Sequence, residues 1–235
     1  GMPEKEEYYY RMAEQNKVDG IICVTYQDVE PYVSENIPLI SLDRHFHKKV
    51  SCISSDNYHG GELAAQKMIS TGSRHLLYLR NGSEISGETL KRGKGFKSYC
   101  DAHGVSCETL NLGDDFDLVR GKTSVEEVLR NFIISARKTG KMRYDGIYTS
   151  TDLLAKALLE QLQFLGVEVP EEVQLVGHDG MQWMNSGKYL VSTIVQPVPD
   201  MARKAVELLL KKIKGEEIEI LTILPVEFAE GGTTR

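Results

Sequence analysis

The 235-residue chain predicts an α/β fold of two lobes on mostly parallel sheets. Three observations carry that expectation. Short apolar runs alternate with longer stretches of helical periodicity. The helical stretches carry their own start and stop signals. A weak internal echo repeats the pattern: VDGII (18–22) resembles YDGIY (144–148), and IPLISLD (37–43) resembles VPEEVQLVGHD (169–179). In each half a strand opens on Asp-Gly and a later strand finishes on an aspartate.

Six runs read as buried strands: IICVTY (21–26), PLISL (38–42), SCIS (51–54), HLLYL (75–79), GIYTS (146–150) and VQLVG (173–177). Each is brief, apolar and bounded by polar or turn residues. Between them lie helices. In TSVEEVLRNFIISARK, Val125, Val128, Leu129, Phe132, Ile133 and Ala136 recur at helical spacing, with Ser124 and Glu127 as a capping box. In DLLAKALLEQLQFLG, Leu154, Ala157, Leu158, Leu162 and Leu165 line one face, Gly166 suits the cap, and Pro170 stops the helix. In PDMARKAVELLLKKIKG the stripe is Ala202, Ala205, Val206, Leu209 and Ile213.

Composition narrows the function classes. Hydrophobic residues at 41% and charged residues at 26% suit an ordinary soluble globular chain. No apolar run approaches the roughly 18–20 residues that a membrane span requires. The first residues, GMPEKEEYYYRMAEQNK, are polar and do not read as a signal peptide. A net charge of −6 argues against gripping DNA with the main body. The four cysteines show no CxxC spacing and read as buried, reduced thiols of a cytoplasmic protein. His45 and His47 form an H-x-H pair without a third ligand at useful spacing, so no metal or cofactor is expected. Neither G-x-G-x-x-G nor GxxxxGK[ST] occurs, and no nucleophile–base pairing is evident, which weighs against an enzyme.

The stretch LKRGKGF (90–96) has the composition of a phosphate cradle. Such a loop should follow a strand directly. Here NGSEISGETL separates it from HLLYL, and Phe96, Tyr99 and Cys100 continue at helical spacing. Residues 88–103 are therefore read as a helix already under way. Gly93 and Gly95 then permit close packing, and Lys91 and Lys94 are solvated.

These pieces, in order, resemble the lactose/galactose-repressor (LacI/GalR) family of bacterial transcription regulators. The match runs through VDGII, IPLISLDR, SSDNYHGGELAAQKMISTGSRHLLYL, Arg92-Gly-Lys-Gly-Phe, YDGIYTSTDLLAKALLEQLQFLGVEVPEEVQLVGHD, STIVQPVPDMARKAVELLLKKIKG and LPVEFAEGGTTR. It covers most of residues 18–235 and corresponds to the effector-binding region. The resemblance implies two Rossmann-like (flavodoxin-like) lobes of the periplasmic-binding-protein type I kind. The N-terminal lobe is expected from 1–58 plus 195–222, with its first βα unit missing. The C-terminal lobe is expected from 59–194 plus 223–235. No DNA-binding headpiece is expected in this chain. The crossovers would lie near 56–59, 191–197 and 222–226.

The resemblance also suggests site residues. It places Asp56, in an otherwise ordinary helix-capping position, where a carboxylate can meet hydroxyls or orient an arginine. It points Arg92 at the ligand; the alternative is a surface arginine. Asp179, in GHDG, is either a ligand contact or a turn stabiliser. Thr151, in STD, stands where relatives often carry an amide, and Asp152 is read as the helix cap. Tyr26, Tyr148 and Trp183 either stack on a sugar face or simply pack.

The implied function is sensing of a small effector, commonly a sugar, bound between the lobes. Binding would shift lobe angle and so control operator DNA binding through the absent headpiece, in a cytoplasmic homodimer. A sugar-binding protein of a transport system is the alternative.

Overall fold

A computed structural model describes residues 3–25, 30–34, 36–46, 50–82, 87–113, 125–138, 140–182 and 189–235. In chain order the elements are α1 (Pro3–Gln15), β1 (Ile21–Val24), β2 (Leu39–Leu42), β3 (Ser51–Ser55), α2 (Asn57–Ser70), β4 (His75–Arg80), α3 (Gly87–Ala102) and β5 (Ser106–Asn111). There follow α4 (Val125–Ala136), the short strands β6 (Arg137–Lys138) and β7 (Lys141–Met142), β8 (Gly146–Thr149), α5 (Asp152–Phe164) and β9 (Gln174–Asp179). The chain closes with β10 (Ser192–Val195), α6 (Val198–Ile213), β11 (Leu221–Leu224) and β12 (Glu227–Ala229). All six strands expected from apolar runs are present. Ser124 of the expected capping box lies outside the described residues.

The elements form two compact units, Gly1–Asp56 with Pro197–Pro225, and Asn57–Gln196 with Val226–Arg235. The first holds a four-stranded sheet in the order β1-β2-β3-β11, parallel throughout. Its α6 side buries Ile40, Ile53, Met201, Ala205 and Leu208. Another cluster gathers Val33, Leu39 and Val50, with Tyr10 of α1 packed against it.

The α6 stripe differs from the sequence expectation. Met201, Ala205 and Leu208 are buried, whereas Val206 is 50% and Ile213 40% exposed. This helix is apolar on more than one face, so periodicity alone cannot choose which stripe meets the sheet. The choice is made by β2 and β3, whose Ile40 and Ile53 are wholly buried against it.

The second unit holds a six-stranded sheet ordered β12-β10-β9-β8-β4-β5. Every pairing is parallel except β12 against β10. Strand alternation sends Tyr78, Tyr148, Val176 and Ile194 to one face, beneath α2 and α3. Leu77, Leu79, Ile147 and Leu175 face the other way, onto α4 and α5. On α5 the expected Leu154, Leu158 and Leu162 are all wholly buried, at about 2 kcal/mol of hydrophobic stabilisation each. Strand β5 carried no apolar run because it is an edge strand, and only some of its residues are partly buried.

Close approach of α2 and α3 depends on glycine. A Cβ on Gly61 would stand 2.0 Å from the Arg92 carbonyl oxygen, and one on Gly95 would stand 1.9 Å from that of Tyr58. A Cβ on Gly93 would meet the Tyr78 ring at 2.6 Å. The glycines of LKRGKGF thus serve helix packing, within a helix that spans 87–102.

Gly95→Ala and Gly61→Ala are each expected to destabilise the fold by about 3 kcal/mol or more, since backbone must move. Gly87, at the exposed start of α3, has open space around it. Gly87→Ala is expected to be neutral or to stabilise by up to about 1 kcal/mol. Urea unfolding of the three variants checks this contrast.

Candidate functional site

In the second unit β4 leads outward to β5, while β8 lies on the opposite side of β4. The order reverses there, and ligands of open α/β sheets bind at the carboxyl ends of strands beside such a reversal. Around that point converge Asn81 after β4, Ser150 to Asp152 after β8, Asp179 at the end of β9 and Gln196 after β10.

Arg92, in the second turn of α3, is only 5% exposed. A buried guanidinium needs partners on several sides. Its Nε donates to Asn57 Oδ1 at 2.7 Å, and Nη1 donates to the Ser150 carbonyl. Nη1 also lies 3.5 Å from Asp179 Oδ1. Gln196 Nε2 donates to that same Asp179 oxygen at 3.1 Å. On the other side, Asn57 Nδ2 donates to buried Glu88 at 2.7 Å, and Lys91 Nζ donates to the second Glu88 oxygen at 2.7 Å. The result is a continuous polar chain, Lys91–Glu88–Asn57–Arg92–Asp179–Gln196. Asn57 sits between a cation and an anion, so its amide has one workable orientation: oxygen to Arg92, nitrogen to Glu88.

Asp179 has φ of 122°, in the region where side chains other than glycine are strained. Its carboxylate is nevertheless about one-third exposed. The site therefore offers donors, acceptors and a nearly neutral pair of opposite charges. Such a set suits vicinal hydroxyls of an uncharged ligand better than a bare anion.

Thr151 is the N-cap of α5, with Oγ1 accepting from Leu154 N at 3.2 Å. Asp152 was read as that cap; instead it is the first helical residue and is wholly buried. Its Oδ1 accepts from Thr193 Oγ1 and its Oδ2 from Met181 N, each at 2.6 Å. It thereby ties α5 to the turn after β9. Gly177 leaves room for it: a Cβ there would stand 2.1 Å from Asp152 Oδ1.

Tyr148 does not present its ring at the site. It is wholly buried, with its ring centroid 5.1 Å from Phe96 and 5.2 Å from Tyr78. Its hydroxyl shares a hydrogen bond of 2.6 Å with His178 Nδ1. Burial first, and the Arg92 charge second, hold His178 well below its ordinary range, so it is neutral. Alternation along β8 turns Tyr148 onto the face that α2 and α3 cover. Asp56 falls in the first unit, where its backbone N–H donates to Leu224 O at 2.8 Å and its side chain is half-buried. Tyr26 and Trp183 lie outside the described residues, as does His47 of the H-x-H pair. Among the described residues no cluster of three metal-ligating side chains occurs.

The structure brings Arg92, Thr151 and Asp179 to one end of one sheet. It adds Asn57, Glu88 and Gln196, which the sequence reading missed. Asn57 was adjacent to a named candidate, and the signal was its place in Asp-Asn before a helix. The first unit has a polar strand end of its own. Asp43, at φ 53°, accepts from Ser54 Oγ at 2.9 Å, and the neighbouring Arg44 has a buried Nε without a hydrogen-bond partner among the described residues.

Burial pushes the Asp152 carboxyl up to about 7, against the hydrogen bonds from Thr193 and Met181. A carboxyl raised in the fold binds its proton more tightly there than in the unfolded chain. Its contribution is full below about pH 4 and is lost as pH rises through about 7. Stability should fall over that window by up to about 4 kcal/mol. Asp152→Asn is expected to flatten the decline, as read from thermal midpoints between pH 4 and pH 8.

The periplasmic binding protein-like domain profile matches residues 65–234. The sucrose operon repressor of Pediococcus pentosaceus is 30% identical over 234 residues, covering 98% of this chain and 69% of that protein. The ribose operon repressor of Bacillus subtilis is also 30% identical, over 99% of this chain and 68% of its own length. A crystal structure of a periplasmic binding protein/LacI transcriptional regulator from Alkaliphilus metalliredigens, complexed with D-xylulofuranose, superimposes with a TM-score of 0.78 at 28% identity. That match covers 99% of this chain and 84% of the other. No helix among the described residues is long and apolar enough to cross a membrane. With a two-unit α/β architecture, a polar site at the carboxyl ends of its strands and repressors as relatives, the chain belongs to the periplasmic-binding-protein-like family, among the LacI-type transcription regulators.

Proposed function

We propose that residues 57–196 with 226–235 carry the effector-recognition site of a sugar-responsive repressor, and that Arg92 and Asp179 are its principal contacts. The buried Arg92, locked by Asn57 and the Ser150 carbonyl and facing Asp179, carries this reading. A guanidinium fixed in this way offers a planar donor fork with little rotamer entropy left to lose on binding. Asp179 and Gln196 supply acceptors and a further donor for hydroxyl groups. Similarity to repressors of sucrose and ribose operons, and to a regulator holding a pentulose, supports a carbohydrate as the effector class.

Regulation would follow from differential affinity. The effector must bind one conformation of the protein better than another, and the preferred population then sets operator affinity. In this reading DNA contact belongs to a headpiece outside residues 1–235, the protein acts as a cytoplasmic homodimer, and it performs no catalysis. Thr151 and Asp152 keep the loop after β8 in place.

A thermal-shift screen against sugars, sugar phosphates and nucleobases tests the proposal. A sugar at about 100 times its Kd should stabilise the chain by roughly 2.7 kcal/mol. That shift should vanish in folded Arg92→Ala and Asp179→Ala variants. Asn57→Ala, which leaves Arg92 unanchored, should weaken binding by about tenfold or more. Undiminished binding in both Arg92→Ala and Asp179→Ala would sink the site assignment.

A further inference from the structure

Cys23 and Cys107 read from the sequence as buried thiols, yet both are half-buried, because β1 and β5 are edge strands. β1 ends the order β1-β2-β3-β11, and among the described residues nothing pairs with its outer side. Its bonding is one-sided by register. Ile21 N donates to Pro38 O at 2.8 Å, and Ile21 stands opposite Leu39. In a parallel ladder alternate residues bond to the same neighbour, so Ile21 and Cys23 serve β2. Ile22 and Val24 then turn their N–H and C=O groups outward.

Both faces of this edge are apolar. Ile21 and Cys23 pack on the side of Tyr10 of α1. Strand alternation sends Ile22 and Val24 to the α6 side, where they are 40% and 63% exposed. α6 reaches β1 there: a Cβ on Gly20 would stand 2.7 Å from Leu209 Cδ1. Val206, Leu210 and Ile213 share the Leu209 flank of that helix and are exposed. On the other face a cavity of about 310 Å³ lies between α1 and β1, lined by Tyr9, Tyr10 and Ala13 and by Ile21 to Thr25. Glu6, also in that lining, accepts from Thr25 Oγ1.

We propose that β1 is a self-pairing edge, through which two copies of the chain join antiparallel and merge their four-stranded sheets into one of eight strands.

The register closes on itself. With a two-fold axis at Cys23, Ile22 of each copy stands opposite Val24 of the other. Such a pair exchanges both N–H···O bonds, so four bonds form and no outward group of Ile22 or Val24 is left over. The axis is perpendicular to the sheet, so the two α6 flanks meet over Ile22 and Val24, and the two Tyr9 rings approach on the other face. Residues 20–25, GIICVT, hold neither charge nor proline, the usual guards of an edge. Two copies of an anionic chain therefore meet without opposing charges of like sign along the seam. At the other edge Glu219 and Pro225 flank β11. Tyr9, Ile22, Val24, Val206, Leu210 and Ile213, each about half exposed, offer on the order of 500 Å² per copy, and the pair reaches about the 1,000 Å² that a specific interface requires. The surface belongs to the first unit. It specifies a dimer contact and is independent of the effector reading.

The test uses the 235-residue chain over a range of concentrations. Light scattering after gel filtration should give twice the chain mass. The Ile22 and Val24 amides should exchange hydrogen more slowly as concentration rises. The Leu221 and Ile223 amides should not: Cys52 N and Asp56 N donate to Ile220 O and Leu224 O, which leaves Leu221 and Ile223 facing the outer side of β11. Val24→Pro removes an outward N–H but no bond to β2, and Val24→Lys puts a charge on the seam; each should raise the dimer Kd by about tenfold or more. Ile223→Pro, the matching change on β11, should leave that Kd unchanged. Circular dichroism checks folding, and Val24→Lys with wild-type exchange decides the matter should Val24→Pro not fold. Four results would each overturn the proposal: monomer mass at every concentration, a dimer indifferent to Val24→Lys, a dimer lost in Ile223→Pro, or protection of Ile22 and Val24 that does not change with concentration, as a small molecule or another segment in the groove would give.

Discussion

The candidate site hangs on the distance between two helices. Gly61 lets α2 come so close to α3 that no side chain could stand between them and the Arg92 carbonyl. Asn57 lies one turn before Gly61, and only at that separation does its short amide reach the guanidinium at 2.7 Å. Gly95 keeps the same approach from the other helix, against Tyr58. Backbone contact thus becomes side-chain geometry. A longer spacing would leave Arg92 free to choose rotamers, and a buried cation without fixed partners is costly.

From this contact the rest of the polar arrangement follows in sequence. Arg92 meets the end of β8 through Ser150 and the end of β9 through Asp179, while Gln196 closes on Asp179 from β10. Three strand ends are therefore registered against one helix. Asp152 secures the same ends from the opposite face, by holding Thr193 and the Met181 backbone. Tyr78, Phe96 and Tyr148 pack against one another in the cluster that α2 and α3 cover. Cys100 and Cys107 close the far end of α3.

Much of this was legible in the sequence. Brief apolar runs located six strands, five of them inside their sheets, where a parallel sheet covered on both faces wants uninterrupted apolar segments, and the sixth, β1, at an edge. The glycines of LKRGKGF revealed close packing once helical spacing was seen to continue through them. What escaped were choices made by distant partners. Tyr148 has the residue type of a stacking platform, but which face of β8 is covered depends on helices far along the chain. Val206 and Ile213 fit a stripe as well as Met201 and Leu208 do, and the sheet decided between them. Asn57 and Glu88 are 31 residues apart, and no local pattern joins them. Asp152 has the look of a helix cap, yet the cap is its neighbour Thr151, because Asp152 is drawn inward by Thr193.

The backbone of Asp179 sets two pressures against each other. At φ 122° a glycine would sit without strain, and any selection for stability alone should drift toward glycine there. Gly180, immediately after it, already has φ of 80°. Against that strain the Asp179 carboxylate faces Arg92 and accepts from Gln196, and a library sorted for folding and then for effector response should separate backbone relaxation from these contacts at this single codon.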